Sequence, residues 1–142
     1  MAVSEQCVLV TGAARGIGRA TAEAFAARGA RLLLNYLGNE AGARETAESC
    51  LALGSPEVVV RQADVADGPA VRAMVEAIAE PWGKLDVVVN NAGYGQTGKL
   101  MDLTEEQWDR TFATHVKGAF HVCRTTIPLL RQTTGGVIIS IG

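Results

Sequence analysis

The chain has 142 residues and a mass of 14.9 kDa, enough to bury about 68% of the surface its unfolded form exposes without help from disulfides. Its 48% hydrophobic and 20% charged residues exclude intrinsic disorder, and a net charge of -2 gives no electrostatic footprint for nucleic acid or an anionic membrane. Three cysteines, an odd set without metal-type spacing, fit a reducing compartment, and no leader or apolar span of roughly 20 residues is readable, so a cytoplasmic protein without membrane partner or metal site is expected.

In chain order, residues 7–11 form a short, continuous apolar run, the pattern of a strand covered on both faces. Good helix formers over 17–28, with Gly29 placed to close them, predict a first helix of about three turns. The unit repeats as a strand over 31–35, an Ala-rich helix over 40–53 ended by Gly54, and a strand over 57–62. A helix over 70–80, capped by Asp67 and with Pro69 at its first turn, leads to a fourth strand over 86–90. Thr104, followed by Glu105, Glu106 and Gln107, reads as the start of a long helix reaching about Gln132 and bent or shortened at Pro128. Residues 137–141 are a fifth apolar strand, and Trp82 and Trp108 read as packing residues. This alternation, with no linker, predicts an α/β fold: one domain over 1–142, a Rossmann-type doubly wound parallel sheet of five strands in the order 3-2-1-4-5, with helices on both faces.

Between the first strand and the first helix stand Thr11, Gly12, Ala13, Ala14, Arg15, Gly16, Ile17 and Gly18. Glycines there let backbone approach a pyrophosphate, and the helix N-terminus offers free N–H groups and a positive dipole end. The plainer reading is a tight turn that needs glycine for a positive φ. The fourth strand runs into Asn90, Asn91, Ala92 and Gly93. In the order 3-2-1-4-5 the first and fourth strands are neighbours, so both motifs line one crevice at their C-terminal ends.

Four motifs in order carry a resemblance: the glycine loop, Asp64 and Val65 after the third strand, Asn90 to Gly93 after the fourth, and Val116, Lys117 and Gly118 in the long helix. Together they resemble the short-chain dehydrogenase/reductase family over essentially the whole chain. The resemblance implies a nicotinamide dinucleotide cofactor. It places Gly12, Arg15, Gly16, Ile17 and Gly18 around the phosphates and adjacent ribose, and Asp64 and Val65 at the adenine. It makes Asn91, Ala92 and Gly93 the wall beside the riboses, with Asn90 bracing the strand end. Asp64 also reads as an ordinary turn residue beside Asp67 and Gly68.

An NAD site usually carries an acid near the end of the second strand, where this chain has Asn35, Tyr36, Leu37, Gly38 and Asn39. With no carboxylate to repel a 2′-phosphate, Arg15 as a cation and Asn35 and Asn39 as neutral donors, NADP(H) is the expected cofactor and NAD(H) the second choice. The competing reading makes Arg15 a solvated cation and Tyr36 a packing residue against the adenine.

The family's catalytic Ser and its Tyr-x-x-x-Lys pair cannot be placed. Neither Tyr36 nor Tyr94 has lysine four residues on, and alignment of the fifth strand sets the serine directly after Gly142. Ser140 is then a strand residue. The expectation is an oxidoreductase exchanging hydride between NADP(H) and a small alcohol or carbonyl, truncated before its last strands and inactive or nearly so as 142 residues. The uncovered strand over 137–141 would be an apolar edge. The alternatives are a non-catalytic NADP(H)-binding module complete at this length and a fold for another adenosine cofactor such as a methyl donor. His115 stands where the family usually has asparagine and is either a titrating member of a proton relay or an ordinary helical histidine. His121 has no motif support. The helix over 108–132 is the expected surface for any homo-oligomer, unless its apolar face covers its own sheet.

Overall fold

The computed structural model describes residues 6–142. Its elements are β1 (Cys7–Val10), α1 (Gly16–Ala26), β2 (Arg31–Tyr36), α2 (Glu40–Leu53), β3 (Val58–Gln62), α3 (Gly68–Trp82) and β4 (Val87–Asn90). A 3-10 turn (Leu100–Asp102), α4 (Glu105–Phe112), one π-helical turn (Ala113–Lys117), α5 (Gly118–Leu130) and β5 (Val137–Ser140) complete it. All four strand pairs are parallel, in the order β3-β2-β1-β4-β5. This is the doubly wound order expected from the strand and helix alternation.

The apolar runs of β1, β2 and β4 are unbroken because these strands are covered on both faces. Cys7 and Leu9 of β1, Leu33 of β2 and Val88 of β4 pack under Val71, Met74, Val75 and Ile78 of α3 and Val122 and Leu130 of α5. Their neighbours Val8, Val10, Leu32, Leu34, Val87 and Val89 pack on the other face, under Ala22 and Ala26 of α1 and Ala47 and Cys50 of α2. The side-chain period of two therefore feeds two cores from one strand. Leu9, Leu32, Leu33 and Leu34 are fully buried, each worth roughly 1.5–3 kcal/mol relative to exposure.

Local chemistry sets the helix ends. Asn39, Asp67 and Thr104 accept the N–H of Gly42, Ala70 and Gln107 respectively, and Gln107 returns its side-chain oxygen to Thr104 N. Gly29 and Gly54 take positive φ just past α1 and α2, as expected.

The single long helix expected up to Gln132 is corrected to three segments. α4 is followed by a π turn, and α5 ends at Leu130 with Pro128 inside it. The close seat of α5 gives the physical reason for this break. A Cβ on Gly118 would stand 2.6 Å from Val65 Cγ2, so the chain enters α5 tightly against the loop after β3, and the wider turn shifts the helical phase there. Val122, Thr126 and Leu130 consequently cover the sheet, whereas Trp108, Phe112, Val116 and Phe120 lie exposed. Trp108 is thus not a core residue; it stacks on Phe112 at 4.8 Å. Trp82 is buried and donates to Glu57 Oε2. β5 pairs with β4 but is exposed along its whole length, including Val137, Ile138 and Ile139. Among the described residues no helix is long and apolar enough to cross a membrane.

Candidate functional site

β1 and β4 are neighbours, so the loops that leave them meet. Thr11 closes that meeting: its Oγ1 accepts Asn91 N–H at 3.0 Å and Ala92 N–H at 2.9 Å and donates to Val89 O at 3.3 Å. Asn91 answers with its side-chain amide on the carbonyls of Thr11 and Gly12, both at 3.1 Å. Two loops some 80 residues apart in sequence are thereby tied into one rim. The motifs give Asn91 a place in the site, whereas Thr11 stands in the glycine loop without an assigned role. The available signal was a hydroxyl standing between a buried apolar run and a glycine.

The glycines hold this rim close to the sheet. Gly12 has φ +63, and a Cβ on it would meet Ala92 Cα at 2.9 Å; a Cβ on Gly18 would collide with Gly12 O. Gly16 has φ +58 and faces open space, so its backbone is approachable. α1 starts after Arg15 with no side-chain cap and no acidic residue in its first turn, while α2, α3 and α4 are each capped by a side chain. Free N–H groups and the positive dipole end therefore point into the opening.

That opening is a cleft of about 600 Å³ lined by Gly12, Arg15, Gly16 and Ile17, by Asn35 and Tyr36, by Asp64 and Val65, and by Asn91, Ala92 and Gly93. The structure thus gathers nearly all the residues that the motifs single out. Tyr94, Arg110, Ala113 and Thr114, which the motifs did not single out, complete the far wall. Gly18 does not line the cleft; it is buried directly against Gly12 O and Asn91 Nδ2 of the rim.

Individual placements refine several expectations. Asn35 is buried and does not serve as a free donor: its amide hydrogens go to Ala63 O and Tyr36 O, and its Oδ1 accepts Gly12 N–H. It holds the glycine loop to the ends of β2 and β3. Asn39 keeps its amide nitrogen available while its oxygen caps α2. Asp64 Oδ1 accepts Ala66 N–H, making the turn, and Oδ2 is left for the cleft. Val65 is buried, and its carbonyl takes the ring Nδ1 of His121 at 2.8 Å. Asn90 donates to Cys123 Sγ and lines a smaller cavity with Thr114, His115 and Ser140. The His115 ring lies on Gly93, with Nε2 at 2.9 Å from Tyr94 O and 3.2 Å from Tyr94 N. Arg15 and Ile17 are exposed at the mouth. The glycine cradle and the uncapped helix start fit a dinucleotide diphosphate, and no carboxylate stands among residues 35–39.

Known proteins share this fold. The family model for short chain dehydrogenases matches residues 6–142. The 3-oxoacyl-(acyl-carrier-protein) reductase FabG of Staphylococcus aureus is 40% identical over 131 residues, covering 92% of this chain and 53% of that protein. Its counterpart in Staphylococcus epidermidis is 38% identical over the same length. A solved short-chain dehydrogenase/reductase mutant from Serratia marcescens superposes with a TM-score of 0.92 at 30% identity, covering 100% of this chain and 57% of that one. The chain spans about half the length of the curated relatives it matches.

Proposed function

Since the chain belongs to the short chain dehydrogenase family, we propose that its cleft binds a nicotinamide dinucleotide and that the protein is an oxidoreductase acting between NADP(H) and a small alcohol or carbonyl. The observation that carries this reading is the uncapped start of α1 opening, across a glycine cradle, onto the wall of Asn91, Ala92 and Gly93.

In this reading the N–H groups around Gly16, Ile17 and Gly18 hold the diphosphate, and Gly12 keeps the loop low enough to admit it. The free oxygen of Asp64 and the Val65 backbone orient the adenine, with Tyr36 flanking it. Arg15, with Asn39 nearby, reads the 2′-phosphate. The bound dinucleotide would supply the hydride. This chain's residues position it and shield one side, while Ala92, Gly93, Ala113 and Thr114 border the end where a substrate would meet it.

Hydride exchange at a carbonyl also needs a proton donor. No Tyr-x-x-x-Lys pair occurs in these 142 residues, so we place the catalytic Ser, Tyr and Lys in the half of the family's length that this chain does not span. As 142 residues it binds cofactor with little or no turnover. The exposed stripe of Trp108, Phe112, Val116 and Phe120 is the surface through which a homo-oligomer would form, and a reducing, cytoplasmic setting suits its free thiols. Titration of the chain with NADPH, followed by nicotinamide fluorescence, should saturate at one site per chain. A flat titration with both NADPH and NADH would overturn the reading.

A further inference from the structure

His115 presents one ring nitrogen to two backbone groups of opposite character. Nε2 lies 2.9 Å from the Tyr94 carbonyl oxygen and 3.2 Å from the Tyr94 amide nitrogen. One nitrogen carries either a hydrogen or a lone pair, so it serves the carbonyl or the amide but never both. The ring has no freedom to share itself by sliding. It lies flat against Gly93, where a Cβ would collide with Cε1 and stand 2.9 Å from Nδ1. The Tyr94 ring is 5.7 Å from it, and Tyr94 is held in turn by Arg110 above its face and by Thr111 at its hydroxyl.

We propose that His115 is a proton-set positioning residue for the part of the cleft wall made by Gly93 and Tyr94: with Nε2 protonated it holds the Tyr94 carbonyl, and with Nε2 bare it holds the Tyr94 amide. The imidazolium makes only the first bond and makes it charge-assisted, hence stronger. The neutral ring divides between its tautomers and alternates between the two contacts. Acid therefore fixes the wall, and base loosens it. Gly93 and Tyr94 line the cleft, so the state of the ring is read there. The effect on cofactor rests on the dinucleotide reading above; the switch itself does not.

Tyr94 of the loop lies against the ring, Arg110 of α4 lies over Tyr94, Lys117 ends the same π turn, and Asp64 lines the neighbouring cleft. The second histidine, His121, faces Val65 instead.

An amide side chain carries a donor and an acceptor but no titrating proton, so His115→Asn removes the proton that sets the switch. The experiment follows the Tyr94 backbone amide by nitrogen–proton NMR in the cofactor-free chain from pH 5.5 to 7.5. In parallel it measures the Kd for NADH, whose diphosphate keeps its charge across that range. The Tyr94 signal should titrate together with the His115 ring, and NADH should bind about three- to fivefold tighter at the acid end, the worth of one strengthened hydrogen bond. In His115→Asn both profiles should be flat. A Tyr94 amide that ignores pH, or a titration that survives in His115→Asn, would overturn the proposal. Should the variant fail to fold, the Tyr94 and His115 signals of the parent still decide it. If NADH does not bind at all, the cofactor reading falls while the NMR titration continues to judge the switch.

Discussion

The hydroxyl of Thr11 and the amide of Asn91 are reciprocal: Thr11 Oγ1 accepts the Asn91 N–H at 3.0 Å, and the Asn91 side chain donates back to Thr11 O at 3.1 Å. Thr11 is buried to 1% exposure, so this exchange takes place away from water. Three of its bonds end on backbone groups of the β4 strand and the loop after it, and they set the separation of the two walls between which a dinucleotide would lie.

Thr11→Val keeps the shape of that side chain and removes the oxygen. The N–H groups of Asn91 and Ala92 would then lose their shared acceptor in a partly buried place. Each such loss costs about 1–3 kcal/mol, so urea unfolding should show a drop of about 2 kcal/mol or more. NADPH affinity should fall with it. Thr11→Ser, which restores the oxygen, should recover most of both; if Val and Ser behave alike, the bridge does not organise the site.

Gly16 and Gly18 separate two requirements that a glycine motif merges. Gly16 faces open space but has φ +58, so Gly16→Ala should cost about 1 kcal/mol in backbone strain and keep the fold. Gly18 has no room at all, since a Cβ would press on Gly12 O and stand 2.6 Å from Asn91 Nδ2. Gly18→Ala should therefore displace the loop, lower the melting temperature more than Gly16→Ala does, and abolish NADPH binding. Equal effects would mean that the helix start does not rest on the loop.

Where the physics is local, the fold was legible. Strands covered on both faces write themselves as runs such as Val8, Leu9 and Val10, and Asp67 and Thr104 announced their helices by capping chemistry. The π turn was not legible, because Trp108, Phe112, Val116 and Phe120 keep a spacing of four across it. That spacing reads as one helix with one buried face, while the seat of Gly118 on Val65 that re-phases the chain is a tertiary contact. The site divides the same way. Glycines and strand-end amides are visible as motifs, but the bonds of Asn35 to Gly12 and Ala63 exist only once β2, β3 and the loop are assembled.

Thiol chemistry gives a pH-dependent test of the core. Cys50 of α2 is fully buried against the sheet, and burial pushes its thiol up to about 11; burial likewise raises Cys7. A group whose folded pKa lies above its unfolded one stabilises fully below the unfolded value and loses that contribution as pH rises through the folded one. Stability should therefore be level up to about pH 8.5 and decline toward pH 11, by on the order of 2 kcal/mol from Cys50. Cys50→Ala should flatten most of that decline in urea titrations run across the range. At pH 8 iodoacetamide should modify partly exposed Cys123 well before Cys7 or Cys50.

Under the proposed function, cofactor choice would turn on Arg15. Its side chain stands exposed at the mouth of the cleft, just ahead of the uncapped start of α1, and no carboxylate stands among residues 35–39, which end β2 and lead into α2. A 2′-phosphate held there would meet one guanidinium, the amide of Asn39 and no repulsion. Removing a charge-assisted contact of this kind costs about 1.5–3 kcal/mol. Arg15→Ala should thus weaken NADPH binding by about tenfold or more and change NADH binding by about twofold or less. In the opposite sense, Asn35→Asp is a poor route to NAD(H), because its amide hydrogens hold Ala63 O and Tyr36 O and a carboxylate there would take the donor from Ala63 O and press a charge on both carbonyls, Tyr36 O keeping only the Ala63 N–H. Leu37→Asp, on an exposed residue lining the same cleft, introduces the acid without disturbing that bracket. It should turn the preference toward NADH. Paired isothermal titrations of the three chains decide the matter: parallel losses for both dinucleotides in Arg15→Ala would show that Arg15 acts on the shared diphosphate and not on the 2′-phosphate.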